Sequence, residues 1–237
     1  MTKMNSHDII MIIDESGSMS MIGNEVIEAV NSFVQNQQNI LENSTTTFTL
    51  WKFNSKITHL IDDVILKDVK TFTEFTPHGT TALMDAIGNA IDKKKTKKNY
   101  NNVICVILTD GLENSSRIYS KINILTMIRE METYHNWKFI YLGANQDAFS
   151  VGSKYGISLN RCVSFDLTPE QISKTFLDTS NAIANFRSIS TQDSNINLEL
   201  TTPTHSMSSP LPIPIICRTE SLTKQVKIKR VCNDLEF

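Results

Sequence analysis

Five aliphatic residues, Ile9-Ile10-Met11-Ile12-Ile13, stand between Asp8 and Asp14. An unbroken apolar run of that length, closed by acids, predicts a short strand buried on both faces. Ile22, Val26, Val30, Phe33 and Val34 then recur at helical spacing, which predicts an amphipathic helix over about Ser20 to Leu41. Asn43-Ser44-Thr45 reads as a turn, and the alternating, β-rich Thr47–Phe53 as a strand. Asn54-Ser55 is a tight turn, and Lys56 to Ile61 returns as an antiparallel partner at the edge of a larger sheet.

Residues 64–79 lack periodicity and end in the breaker cluster Thr76-Pro77-His78-Gly79. A helix opens at Thr80-Thr81 with Leu83, Ala86, Ile87, Ala90 and Ile91 on one face, and runs into a lysine-rich end at 93–98. Those lysines complement the negative end of the helix dipole and read as a solvated terminus. Val103–Leu108 is the most apolar segment and predicts a central parallel strand, closed by Thr109-Asp110-Gly111. A helix over 118–134, carrying Ile122, Leu125, Ile128 and Met131, leads to a strand over Trp137–Leu142. A short helix over Asp147–Tyr155 and a short strand over Cys162–Phe165 follow. Thr168-Pro169-Glu170-Gln171 is a helix start with Thr at the N-cap and Pro at the first helical position. That last helix carries Ile172, Phe176, Ile183 and Phe186.

Strands alternating with helices define an α/β chain: a doubly wound, Rossmann-like, mainly parallel sheet with one antiparallel edge strand. The domain is predicted over residues 1–187. Residues 188–237 read as a polar linker and a tail that is either disordered or docked as a small β-hairpin, with β-like texture at 211–216 and 226–231.

Composition narrows the function classes. The 237 residues are 40% hydrophobic, enough for a real core, and carry a net charge of −2, which directs the chain toward neither nucleic acid nor an anionic membrane. Cys105, Cys162, Cys217 and Cys232 form no metal-binding pair, and Cys105 falls inside an apolar run, so buried reduced thiols and a cytoplasmic setting are expected. The N-terminal apolar run is too short for a signal sequence or a membrane span.

The chemistry lies at strand ends. Asp14, Ser16 and Ser18 follow the first strand at two-residue spacing, Asp110 follows the most buried strand, and Thr80-Thr81 sits at a loop-to-helix junction on the same edge of the sheet. In doubly wound sheets ligands bind at that edge. An oxygen-only donor set without Cys or His suits Mg²⁺, with Mn²⁺ or Ca²⁺ as alternatives, better than zinc. Each string alone also fits an ordinary turn or N-cap; their combination is what singles out the site.

Asp14-x-Ser16-x-Ser18, Thr81 and Asp110 together resemble the metal-ion-dependent adhesion site of the von Willebrand factor A domain family. The longer strings Gly79–Ile87, Leu108–Ser116 and Tyr141–Ala148 are similar to stand-alone, non-secreted bacterial and phage members, and the resemblance spans about residues 7–187. It implies that Ser16 and Ser18 bind a cation directly, Asp14 and Asp110 largely through waters, and Thr81 directly when the site is engaged. It also implies a sixth position left for a partner's Asp or Glu. The chain departs from the family in carrying Thr80 where Gly is usual, so Thr80 rivals Thr81 as the ligand.

The implied function is a non-catalytic, divalent-cation-dependent protein-binding module whose partner presents an exposed Asp or Glu. Two alternatives stand beside it: a Mg²⁺-dependent phosphoryl-transfer or hydrolytic enzyme using the same crevice, and a structural subunit with a vestigial site. The second strand-end acid that a phosphoryl-transfer nucleophile requires is replaced by Ser16. Glu15 and Glu113 read as solvated acids, His78 as a loop residue without assigned chemistry, and Trp51 and Trp137 as core.

Overall fold

A computed structural model of the chain describes residues 7–40, 46–189 and 197–200. Six strands form one sheet: β1 (Asp8–Asp14), β2 (Thr47–Phe53), β3 (Ile57–Ile65), β4 (Val103–Thr109), β5 (Lys138–Ala144) and β6 (Cys162–Phe165), in the order β3-β2-β1-β4-β5-β6. All pairings are parallel except β2 with β3, so the doubly wound sheet with an antiparallel edge is as the pattern predicts. β1 and β4 are buried along their whole length because helices cover both faces.

The helices are α1 (Gly23–Ile40), α2 (Leu83–Lys95), α3 (Lys121–Tyr134), α4 (Ala148–Lys154) and α5 (Pro169–Ile189). Val26, Val30 and Phe33 of α1 and Ile172, Phe176 and Ile183 of α5 pack with Ile9, Met11 and Ile13 on one face of the sheet. Leu83, Ile87 and Ile91 of α2 and Ile124, Ile128 and Met131 of α3 pack with Ile10, Ile12 and Cys105 on the other. Each fully buried side chain of this size contributes roughly 1.5–3 kcal/mol. Trp51 and Trp137 are core residues, as their strand positions predict. No described helix is long and apolar enough to cross a membrane.

Several local expectations change. A 3-10 turn over Gly17–Ile22 precedes α1, so the helix starts later than Ser20. α3 begins at Lys121 rather than 118, and its Ile122 is exposed while Ile124 takes the buried position. The stretch before α3 is instead tied to the carboxylate of Asp85, which accepts the backbone N–H groups of Arg117, Ile118 and Tyr119. β3 runs on to Ile65 through a bulge at Asp63, whose φ is 57°.

The lysine run is not simply a solvated terminus. Lys94 is buried and its Nζ lies 2.9 Å from Asp8 and 2.6 Å from Asp63, while Lys97 and Lys95 pair with Asp62 and Glu130. The bulge at Asp63 brings its carboxylate under the end of α2, which draws that one lysine inward. Residues 197–200, which the composition places in the linker, also meet the core: Leu198 and Leu200 are buried, and Leu200 N–H donates to Asn160 C=O. The β-like stretches at 211–216 and 226–231 lie outside the described residues.

Candidate metal centre

β1 and β4 are adjacent and parallel, with Ile13 beside Leu108, so Asp14 and Asp110 leave the sheet side by side. β1 feeds leftward to β2 and β4 rightward to β5, making their junction the point where strand order reverses. The buried strands thereby set two acids into one crevice before any side-chain contact is counted.

Asp14 is fully buried and held at both oxygens. Its Oδ1 accepts the N–H of Ser16 at 2.7 Å and its Oδ2 accepts the hydroxyl of Thr109 at 2.6 Å. The Thr109 hydroxyl in turn accepts the N–H of Gly111 at 3.2 Å, so the residue before Asp110 orients the acid at the end of the neighbouring strand. Ser18 donates to Asp110 Oδ1 at 2.7 Å, and Ser16 and Ser18 hydroxyls are 3.2 Å apart. Asp14, Ser16 and Thr81 are buried whereas Ser18 is exposed, so the crevice has a floor and an open mouth.

Thr81 reaches the same place. A Cβ on Gly111 would stand 2.9 Å from Thr81 Oγ1 and 3.7 Å from Asp14 Oδ2, so glycine at 111 is what lets the threonine hydroxyl approach the carboxylates. Thr80 is exposed. The loop carrying Thr81 is fixed from several sides. Gly79, at φ +75°, offers its C=O to the N–H of Gly17 at 3.1 Å, and Ala82 N–H donates to Asn54 C=O at 2.9 Å. Asn114 bonds Thr81 at both its N–H and its C=O.

Burial pushes the Asp14 carboxyl up to about 6, with the charge of Asp110 adding to the effect and the Thr109 and Ser16 hydrogen bonds opposing it. Asp110 is likewise raised, chiefly by burial, against the hydrogen bond from Ser18. Two partly desolvated acids meet here with no cation paired to either among the described residues. Together with the three hydroxyls this donor set fits a hard divalent ion, which would replace the missing positive charge. Among the described residues no group of three or more His, Cys, Asp and Glu converges as a metal cluster; the crevice offers two acids with three hydroxyls.

Glu15 and Glu113 are not solvated acids. Glu15 is buried, 2.8 Å from Lys52 Nζ, and accepts the N–H of Thr76. Glu113 accepts the N–H groups of Met84, Ser115 and Ser116. Both staple loops of the crevice rather than line its rim. Thr109 and Asn114 were present in the motif strings, but their roles depend on neighbouring loops that sequence does not bring together. Asp147 caps α4 by accepting the N–H of Ser150.

A doubly wound α/β sheet with an oxygen-lined crevice at its reversal point is the class of fold to which this chain belongs. More specifically, residues 8–153 match the family model of the von Willebrand factor type A domain, and the chain belongs to that family. Among solved structures it is similar to proximal thread matrix protein 1 from the mussel byssus with a zinc-occupied MIDAS motif (TM-score 0.52, 14% identity, covering 73% of this chain and 47% of that one). It is also similar to the ArnB paralog VWA2 from Sulfolobus acidocaldarius (TM-score 0.51, 20% identity, 76% and 46%). A third is the vWF domain of the type V pili tip protein Mfa5 from Porphyromonas gingivalis (TM-score 0.56, 12% identity, 81% and 98%). At these identities the likeness is one of fold, and the chain spans about half the length of the mussel and archaeal chains. No curated protein sequence matches it.

Proposed function

We propose that this chain is a divalent-cation-dependent protein-binding module, non-catalytic, that receives an Asp or Glu of its partner on a metal ion. The ion is held by Asp14, Ser16, Ser18, Thr81 and Asp110, as in a metal-ion-dependent adhesion site. The observation that carries this reading is the convergence of three separate loops on one point: Ser18 is 2.7 Å from Asp110, and the Thr81 hydroxyl stands over Gly111 beside Asp14. The burial of Thr81 and the exposure of Thr80 favour Thr81 as the threonine ligand.

The donor chemistry supports Mg²⁺, with Mn²⁺ or Ca²⁺ as substitutes; zinc in the mussel protein's motif supports a divalent ion without deciding which. The neutral hydroxyls of Ser16, Ser18 and Thr81 would supply oxygens without adding negative charge, and an ion so held would remain electrophilic enough to take an outside anion. Among the described residues no Ser/His/Asp or Cys/His arrangement for nucleophilic catalysis meets at the crevice. The domain proposed over residues 1–187 is extended in this reading by the burial of Leu198 and Leu200 against its core, which supports a boundary beyond them. The two buried free thiols Cys105 and Cys162 support a reducing, cytoplasmic setting.

The test is affinity capture by the full chain in Mg²⁺ and in EDTA, with Asp110→Ala in parallel. A partner retained only with Mg²⁺ and only by the unaltered chain supports the reading. Hydrolysis of phosphate esters that Asp110→Ala abolishes would overturn it in favour of an enzyme.

A further inference from the structure

We propose that the rim of this crevice selects a partner segment whose metal-binding carboxylate is flanked by apolar side chains and accompanied by further acids. It does so through Met21, Leu112, Ile118 and Ile122 together with Arg117 and Lys121. The inference rests on the metal-dependent reading above and adds to it the class of sequence recognised.

Met21, Leu112, Ile118 and Ile122 are 83, 66, 69 and 74% exposed. Single exposed aliphatic residues are ordinary, but these four gather on one edge of the molecule. Met21 follows Ser18 within the same 3-10 turn, and Leu112 follows Asp110 by two positions, so the 2.7 Å contact between Ser18 and Asp110 brings both beside the crevice. Ile118 donates its N–H to Asp85 at the start of α2, just beyond Thr81, and Ile122 lies in the first turn of α3 on the same edge. Of the other large exposed hydrophobics among the described residues, Ile65, Tyr134 and Leu159 lie at the opposite edge, at the ends of β3 and α3 and before β6. Leu177 lies within α5.

Charge is arranged to match. Three acids of the segments that build the crevice are turned inward: Glu15 to Lys52 and Thr76, Asp85 to three backbone N–H groups, and Glu113 to the N–H groups of Met84, Ser115 and Ser116, while Glu74 on the loop before Gly79 is exposed, on the β2 side beside Lys52. Arg117 and Lys121, between and beside the exposed isoleucines, are exposed and enter no ion pair among the described residues. Glu25, half-exposed in the first turn of α1, lies on the Met21 side. The α3 side is therefore apolar and basic and favours an acidic neighbour there, while burial of the apolar side chains around the ion excludes water and strengthens the carboxylate–metal bond.

Random 12-residue peptides displayed on phage, selected on the full chain in Mg²⁺ and eluted with EDTA, test this. The eluted peptides are expected to carry Asp or Glu with Leu, Ile, Met, Val or Phe within two positions. As synthetic peptides they should bind the Met21→Ser/Leu112→Ser/Ile122→Ser variant about tenfold more weakly, the scale of losing partly buried aliphatic contacts. Mg²⁺ affinity and melting temperature of that variant should equal those of the unaltered chain, since the three side chains are exposed. Acidic peptides without apolar enrichment, peptides that bind the variant as well, or no EDTA-eluted peptide from a chain that binds Mg²⁺ would overturn the proposed selectivity and leave the metal reading standing. A chain that takes up no Mg²⁺ in titration overturns both, and does so before any selection is made.

Discussion

Asn114 holds Thr81 by both ends of its backbone: Thr81 N–H donates to Asn114 Oδ1 at 2.9 Å, and Asn114 N–H donates to Thr81 C=O at 3.0 Å. The pair links the loop after β4 to the loop before α2, so the threonine and Asp110 keep a common register. Asn114→Ala removes only the side-chain half of this clasp. A net hydrogen bond is worth about 1 kcal/mol, so Mg²⁺ affinity should fall by roughly fivefold to tenfold with a melting-temperature loss of only a few degrees. Asn114→Asp keeps the acceptor oxygen and should retain affinity. Calorimetric titration of the two variants checks this; equal affinity in Asn114→Ala would show that the clasp does not set the site.

The raised carboxyl of Asp14 gives a pH dependence of definite sign. Its folded value of about 6 lies above its ordinary 3.8, so the metal-free folded chain binds a proton that the unfolded chain does not between those values. The stabilising contribution of that proton is fully present below the ordinary value and is lost as pH rises through about 6. With respect to Asp14, the metal-free protein therefore melts higher at about pH 5 than at about pH 7. The metal needs the carboxylate, so Mg²⁺ affinity should fall up to about tenfold per unit below about pH 6.

Asp14→Asn separates stability from binding. At about 1.4 kcal/mol per unit, the buried charge weighs up to about 3 kcal/mol against the metal-free fold at neutral pH. The amide keeps an oxygen for Ser16 N–H and a nitrogen to face Thr109. The variant should therefore melt several degrees higher without metal and show no further rise on adding Mg²⁺, as read by scanning calorimetry. A lower melting temperature would mean that the hydrogen bonds outweigh the desolvation.

Two glycines give opposite expectations. A Cβ at Gly111 would stand 2.9 Å from Thr81 Oγ1, so Gly111→Ala should push the threonine away, destabilise by about 1–3 kcal/mol and weaken metal binding. Gly23 has nothing within 4 Å of an added Cβ, and its φ of −47° is helical, so Gly23→Ala should stabilise by about 0.5–1 kcal/mol with metal binding unchanged. Chemical denaturation alongside metal titration distinguishes the two.

Lys94 lies far from the crevice and tests the fold alone. Replacing it with Met strips the cation from Asp8 and Asp63, which are mostly buried and 2.9 and 2.6 Å away. Leaving buried acids unpaired should destabilise by roughly 3 kcal/mol in urea unfolding, with no effect on Mg²⁺ affinity once folded. A neutral outcome would show that water reaches the two acids.

Much of the fold was legible because its signals are local. Ile9–Ile13 and Val103–Leu108 are apolar without alternation, and only a sheet covered on both faces accommodates that, which puts Asp14 and Asp110 at strand ends on one edge of the sheet; that the two strands are neighbours is visible only in the structure. Where the structure differs from the local pattern, a distant partner decides. The spacing makes Ile122 a core position, yet Asp85 binds the N–H groups of 117–119 and α3 starts only at Lys121, so Ile124 is buried instead. Lys94 belonged to a solvated run until the bulge at Asp63 supplied a buried counter-charge. Glu15 and Glu113 read as surface acids because their partners, Lys52 and the backbone of Met84, lie on other elements. The candidate ligands themselves were legible as types and spacings, while Thr109 and Asn114, which orient them, became visible only when the loops met.

The function proposed for this chain requires that Asp14, Ser16, Ser18, Thr81 and Asp110 hold one divalent ion. Isothermal titration of Mg²⁺ and of Mn²⁺ into the full chain and into Asp14→Ala addresses it most directly. The expected result is uptake of a single ion by the unaltered chain and none by the variant. Identical titrations for the two proteins, whether both silent or both binding, would contradict it.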